Sequence, residues 1–177
     1  MQTKPEIREA AVIVPLFRSP EGELKMVLVR RGPGGVHGGQ IAFPGGKREP
    51  GDRSLIDSAL RELMEEIAVP AAEVEILESL PPMQTLTTQI QVFPFLGKLL
   101  NPGHWKSAEH EIDEIIEMPV AWFAKPEAHD YGMESFHAWP EPRRVPFYRI
   151  GPHRAWGLTY RILEPLIPRL LAGQWMV

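Results

Sequence analysis

Two apolar, β-branched runs open the sequence, Ala10 to Arg18 and Leu24 to Arg31, with Ser19-Pro20-Glu21-Gly22 between them. Turn-forming residues between strand-like runs predict an antiparallel hairpin. A glycine-rich stretch from Arg31 to Gly46 follows, interrupted by the short strand-like Ile41-Ala42-Phe43. The pattern then changes period. Leu55, Ala59, Leu60, Leu63, Met64 and Ile67 recur every three or four residues, which predicts a helix from about Ser54 to Ala68. Ser54 is placed to cap it, Asp57 sits near the positive end of its dipole, and Pro70 stops it.

Val74 to Leu80 reads as a strand, Pro81-Pro82 as a break, and Thr87 to Leu96 as a longer strand. Glu109 to Glu117 is acidic and turns strand-like at Ile115-Ile116; Pro119 to Ala124 reads as a short helix with Pro at its first position. Asp130 to Ala138 and Val145 to Ile150 alternate well enough for a second hairpin across the loop Trp139 to Arg144. Arg154 to Ala172 reads as a closing helix that Pro165 and Pro168 kink or divide. Short strands with two substantial helices indicate an α+β fold, a mixed sheet covered by helices.

Composition narrows the function. A chain of 177 residues is expected to form one domain with a real core. The absence of cysteine excludes disulfides, cysteine-ligated metals and a thiol nucleophile. A formal charge of -4 argues against a nucleic-acid partner. The longest wholly apolar run, Ala10 to Phe17, is far short of the roughly 20 residues that a membrane helix needs. Lys4, Glu6, Arg8 and Glu9 break up any signal-like core at the start, so a cytoplasmic location is expected. Trp105, Trp122, Trp139 and Trp156 are evenly spaced, but their surroundings share too little to form a repeat.

Chemistry concentrates on the first helix. At about 100° per residue, Glu62, Glu65 and Glu66 share one narrow face opposite the apolar stripe. Like charges at such spacing cost about 0.2–0.5 kcal/mol per pair even in a water-exposed helix. A hard divalent cation removes that penalty, because carboxylate oxygens are its preferred ligands. Most acidic helix faces are simply solvated, so the preceding Phe43-Pro44-Gly45-Gly46 matters: glycines let backbone approach an ion or ligand closely.

Gly46, Asp52 and Arg61-Glu62-Leu63-x-Glu65-Glu66 together resemble the Nudix box of Nudix hydrolases, a Gly, a loop Glu, then Arg-Glu-apolar-x-Glu-Glu-x-Gly. Asp52 stands where the family has Glu, eight residues rather than seven separate it from Arg61, and Ala68 replaces the final Gly. The run from His37 to Arg48 is similar to the upstream motif of the coenzyme A diphosphatase branch. Leu80-Pro81-Pro82, Pro94-Phe95, Glu111-Ile112-x-Glu114 and Arg154-x-Trp156-Gly157-Leu158-Thr159 follow in that branch's order, whereas Gly32-Pro33-Gly34-Gly35-Val36 departs from it.

The resemblance implies a Nudix-like α/β/α sandwich and hydrolysis of a diphosphate, with coenzyme A (CoA) giving 3′,5′-ADP and 4′-phosphopantetheine. It implies Mg²⁺ or Mn²⁺ held by Glu62, Glu65, Glu66 and the Gly45 carbonyl, with Arg61 fixing a box carboxylate. Glu111 and Glu114 are candidates for a general base or an extra ligand, and Arg31, His37, Gln40, Lys47 and Arg48 for substrate contacts. ADP-ribose, NADH, a dinucleoside polyphosphate or a damaged dNTP remain alternative substrates. A nucleotide-sensing module without catalysis is the alternative of another class, and a homodimer accords with the resemblance.

Overall fold

The structure, a computed structural model, describes residues 8–34, 37–85, 90–136 and 139–177. Strands β1 (Glu9–Arg18) and β2 (Leu24–Arg31) form the expected hairpin, paired Leu16 to Met26 through Arg18 to Leu24. Below that register the two strands part. Into the gap comes the next segment, as β3 (Ile41–Ala42) on β2 and β4 (Gly45–Lys47) on β1. β7 (Gln91–Leu99) lies parallel to β1 on its other edge, and β5 (Val74–Ser79) and β6 (Met83–Gln84) pair antiparallel with β7. β8 (Ile112–Pro119) runs antiparallel along β2. A smaller sheet, in the order β11 (His153–Trp156), β10 (Arg143–Ile150), β9 (His129–Glu134), completes the strands.

The main sheet is covered on both faces. Successive residues of a strand point to opposite sides, so Ala11 and Ile13 of β1, with Val27 and Val29 of β2, face α1 (Leu55–Ile67) and its Ala59, Leu63 and Ile67. Val14, Leu16, Met26 and Leu28 face the other way, toward Ile162, Leu163, Leu166 and Ile167 of α2 (Gly157–Leu171). This is the α+β sandwich with a mixed sheet between helices that the periodicities predict.

The differences have local causes. His153–Trp156 belongs to β11, paired with β10, so α2 starts at Gly157 rather than at Arg154; Gly157 has φ +62° and turns the chain from strand to helix. Pro165 and Pro168 leave α2 one continuous element. The acidic stretch becomes strand from Ile112 to Pro119, longer than its apolar centre suggests, and Pro119 precedes a 3₁₀ turn, Val120–Ala124. Of the strand expected from Thr87, residues 86–89 lie outside the described residues, as do residues 137 and 138 of the second hairpin and residues 35 and 36 of the glycine-rich spacer.

α1 begins as expected: the Asp57 N–H donates to Ser54 Oγ at 3.1 Å. It ends at Ala68, whose N–H donates to the Met64 carbonyl from a left-handed conformation, φ 59° and ψ 36°. The helix thus terminates as a glycine would terminate it, with an alanine in the strained position. An L-residue there carries about 1–2 kcal/mol of strain, against about 0.5–1 kcal/mol of extra chain entropy lost by glycine. Ala68→Gly should therefore raise stability by about 0.5–1 kcal/mol, or about 1–4 °C in Tm by thermal unfolding. An unchanged or lower Tm counts against this account of the helix end.

Candidate active site

The site forms where the sheet parts. The Ile13 N–H donates to the Pro44 carbonyl at 2.9 Å, which lays the Pro44–Lys47 backbone flat on β1. Both glycines are required by contact. A Cβ on Gly45, where φ is +154°, would stand 2.6 Å from Val12 Cα; a Cβ on Gly46 would overlap the Glu62 carboxylate. The backbone is pinned between a strand and the acidic face of α1.

Glu66 has no solvent exposure. Its Oε2 accepts the Gly45 N–H at 3.1 Å, and Arg31 Nη1 stands 3.3 Å from Oε1. Burial pushes its pKa up to about 7, against the pull of Arg31 and the Gly45 N–H, with Glu62 and Glu111 adding repulsion. Glu62, one turn earlier and 15% exposed, is also raised, first by burial and then by Glu65 and Glu111, while Arg61 opposes the shift. Glu65 is more than half exposed and rests on Arg61 at 3.0 Å.

Arg61 ties the loop to the helix. Its Nε and Nη2 donate to the two oxygens of Asp52 at 3.0 and 3.1 Å, its Nη1 donates to Glu62 and Glu65, and Nη2 also donates to the Lys47 carbonyl. The guanidinium holds Asp52 well below the usual carboxylate range. The shorter acid with the longer spacer still makes a two-point fork.

The two acidic candidates outside the box part company. Glu111, in the loop before β8, lines the cleft and acts on both Glu62 and Glu66; its carbonyl accepts the Gly32 N–H at 2.7 Å. Glu114 stands opposite Arg30 in the β2–β8 register, 3.6 Å from Arg30 Nε and 3.1 Å from His153 Nε2, and does not line the cleft. Its place in the strand, three residues beyond the loop, directs it to an ion-pair network instead.

The cleft has a volume of about 840 Å³. Arg31, His37, Gln40 and Lys47 line it with Gly45, Glu62 and Glu65, and His37 Nδ1 lies 3.2 Å from Gln40 Oε1. Arg48 instead lines an adjoining hollow, where it donates to Glu9 at 3.1 Å. Sequence reading missed a wall of Phe136 and Trp139, joined there by Trp156. The rings lie 5.7 to 6.2 Å apart and steeply inclined to one another. Two aromatics bracketing a hairpin loop were the available signal.

Residues 7–140 match the model of the NUDIX domain. The chain belongs to the Nudix family. It is 34% identical over 168 residues to the proteins called uncharacterized Nudix hydrolase NudL of Salmonella paratyphi B and Salmonella newport, covering 90% of this chain and 81% of theirs. Its fold is shared with a MutT/nudix family protein of Enterococcus faecalis (TM-score 0.62, 17% identity, 98% of this chain and 64% of that one). It is also shared with a C. elegans Ap4A hydrolase solved as a binary complex (TM-score 0.54, 22% identity, 65% and 82%). The NUDIX domain of Shewanella oneidensis NrtR, complexed with ADP ribose, is a further neighbour (TM-score 0.52, 20% identity, 68% and 80%). This Nudix chain is a hydrolase of diphosphate bonds in nucleoside-diphosphate-linked compounds.

Nudix hydrolases generally use divalent metals, and the donors here suit one in kind. They are oxygens, as Mg²⁺ and Mn²⁺ prefer, and the missing side chain of Gly46 leaves the Glu62 carboxylate against bare backbone. Among the described residues no three His, Asp or Glu side chains converge as they stand; Arg31 and Arg61 carry the compensating charge. Gly46→Ala should displace Glu62 and lower kcat/KM by about 10–100-fold, the cost of misplacing a group by roughly 1 Å, with an unchanged circular dichroism spectrum. Gly51→Ala, which meets nothing within 4 Å, is the matched control and should retain activity. Equal activities of the two variants would contradict the close-approach account.

Proposed function

We propose that this Nudix hydrolase cleaves the diphosphate of CoA, adding water across one P–O–P link to give 3′,5′-ADP and 4′-phosphopantetheine. The observation that carries the reading is the single cleft in which the carboxylate face of α1, the His37–Lys47 segment and an aromatic wall meet. A diphosphate on the carboxylate side leaves room in 840 Å³ for a group on either flank. The resemblance of the His37–Arg48 run to the CoA diphosphatase branch supports the same substrate.

Glu62, Glu66 and the Gly45 carbonyl would hold Mg²⁺ or Mn²⁺, with Glu65 alongside. When bound, such an ion neutralises the diphosphate and lowers the pKa of an attacking water. Glu111 faces both carboxylates from the opposite loop and takes the proton of that water. Arg61 keeps Glu62 in place through the Asp52 fork, and Lys47, Arg31, His37 and Gln40 orient the phosphates and the adjoining sugar.

The test is a panel of CoA, ADP-ribose, NADH, Ap4A and a damaged dNTP with Mg²⁺ or Mn²⁺, products separated by chromatography. CoA should give the highest kcat/KM and release 3′,5′-ADP. A higher value for another member moves the substrate to it; nucleotide-dependent stabilisation without any product favours the sensing alternative. Glu66→Gln should lose at least about 100-fold, the upper end of the loss caused by removing even an outer partner of a metal site. Its fold should persist, because burial already disfavours the charge that the substitution removes.

A further inference from the structure

Two consecutive arginines end β2, and the sheet sends them in opposite directions. The β2–β8 register shifts between them, with Arg30 opposite Glu114 and Arg31 opposite Ile112. Arg30 turns to Asp113 and Glu114, while Arg31 turns to the cleft and to Glu66. The backbone of Arg31 is locked: its N–H donates to the Gln40 carbonyl at 3.0 Å, and its carbonyl accepts the Gly39 N–H at 2.9 Å. Its side chain has far less to hold it.

Two guanidiniums offset the carboxylates of the site, on unlike terms. Arg61 is fixed by the Asp52 fork, by Glu62 and Glu65, and by the Lys47 carbonyl. Among the described residues the Arg31 guanidinium makes one hydrogen bond, from Nη1 to Glu66 Oε1 at 3.3 Å, and its side chain is 34% exposed. Charge-assisted bonds of this kind are strongest at about 2.7–2.9 Å. The other oxygen of Glu66 is taken by the Gly45 N–H. Arg31 lines the cleft, whereas Glu66, without exposure, does not. An approach from the cleft to Oε1 therefore meets the guanidinium first.

A cation using Oε1 would contend with Arg31 for the same oxygen, since like charges so close repel strongly where water is scarce. The guanidinium has another partner within the cleft's chemistry: the paired oxygens of a diphosphate match its planar fork. We infer that Arg31 is an exchangeable counter-charge, pairing with Glu66 until a divalent cation takes that oxygen and then with the diphosphate, so that metal and diphosphate each favour the other's binding. This rests on the metal role proposed above for Glu66, and not on the choice of CoA. Linkage gives it a distinctive sign: Arg31 opposes the cation alone and assists the diphosphate.

The experiment measures Mn²⁺ binding to the substrate-free protein by electron paramagnetic resonance, and binding of imidodiphosphate in excess Mg²⁺ by calorimetry. Arg31→Ala should bind Mn²⁺ at least about fivefold more tightly than wild type, the lower end of common coupling between sites. It should bind imidodiphosphate about tenfold or more weakly, the least that a hydrogen bond to a charged group contributes. Arg53→Gln removes the same charge from a side chain 90% exposed ahead of α1 and should do neither. Weakening of both affinities would make Arg31 structural, and weaker imidodiphosphate with unchanged Mn²⁺ would make it a plain substrate contact; either overturns the exchange alone. Failure of wild type and Arg31→Ala alike to bind Mn²⁺ removes the metal role of Glu66, and the inference falls with it. Nuclear magnetic resonance of the wild type needs no folded variant. The Arg31 guanidinium N–H signals should move on addition of Mg²⁺ and again when imidodiphosphate follows; signals indifferent to Mg²⁺ overturn the inference.

Discussion

A carboxylate with no access to water sits at the point where the main sheet opens, and the geometry of the whole site follows from satisfying it. Isolating such a charge costs several kcal/mol unless partners compensate. Glu66 has one backbone N–H and one guanidinium as partners, and burial outweighs them in raising its pKa to about 7. The shortfall arises from position. Leu63 and Ile67 of the same helix are pressed against β1 and β2, so Glu66 is carried into the interior beside them. The parted strands supply the space, and the Pro44–Lys47 backbone fills it with the N–H that Glu66 accepts. A hard cation is the kind of partner that would complete what the protein groups leave incomplete, which is why the proposed metal role and the burial of Glu66 belong to one arrangement.

Arg61 governs how that arrangement tolerates change. One guanidinium joins the loop acid, two helix carboxylates and a backbone carbonyl, so the loop cannot shift without moving Glu62. Aspartate is one methylene shorter than glutamate, and the loop leading from it is one residue longer than the family spacing. The two departures offset each other: slack in the backbone lets the shorter side chain reach both nitrogens, Nε at 3.0 Å and Nη2 at 3.1 Å. At the other end of the helix, Ala68 keeps the left-handed stop without glycine.

What the sequence made legible was whatever depends on neighbours along the chain. The three- and four-residue recurrence located α1 and its acidic face, Ser54 its start, and the paired glycines the close approach. Contacts made across the fold were hidden. Glu111 and Glu114 look equivalent as residues three apart; the β2–β8 register separates them by placing Arg30 opposite Glu114 and leaving Glu111 in the loop above the cleft. Arg154 to Trp156 reads as the start of a helix, since nothing in four residues shows that β10 lies alongside. Phe136, Trp139 and Trp156 meet only because β9, β10 and β11 bring a loop and a strand end together. The four evenly spaced tryptophans do unlike things: Trp105 packs on Phe17, Trp122 donates to the Arg149 carbonyl, and Trp139 and Trp156 meet in the wall.

The cleft draws its carboxylates and its aromatic wall from opposite layers of the fold, and one short segment joins them. α1 supplies the carboxylates from one face of the sheet; the segment between β9 and β10, with β11, supplies the aromatic wall, and α2 supplies Thr159 from the other face. Thr159 Oγ1 donates to the Ile41 carbonyl at 3.0 Å, four residues before the Gly45 N–H that holds Glu66. Between those two bonds the chain crosses the gap in the sheet with Phe43 buried, so it has little freedom to absorb movement at either end. Under the proposed function, contacts that a substrate made beside α2 would yield binding energy away from the reacting atoms, available for aligning the groups over its diphosphate.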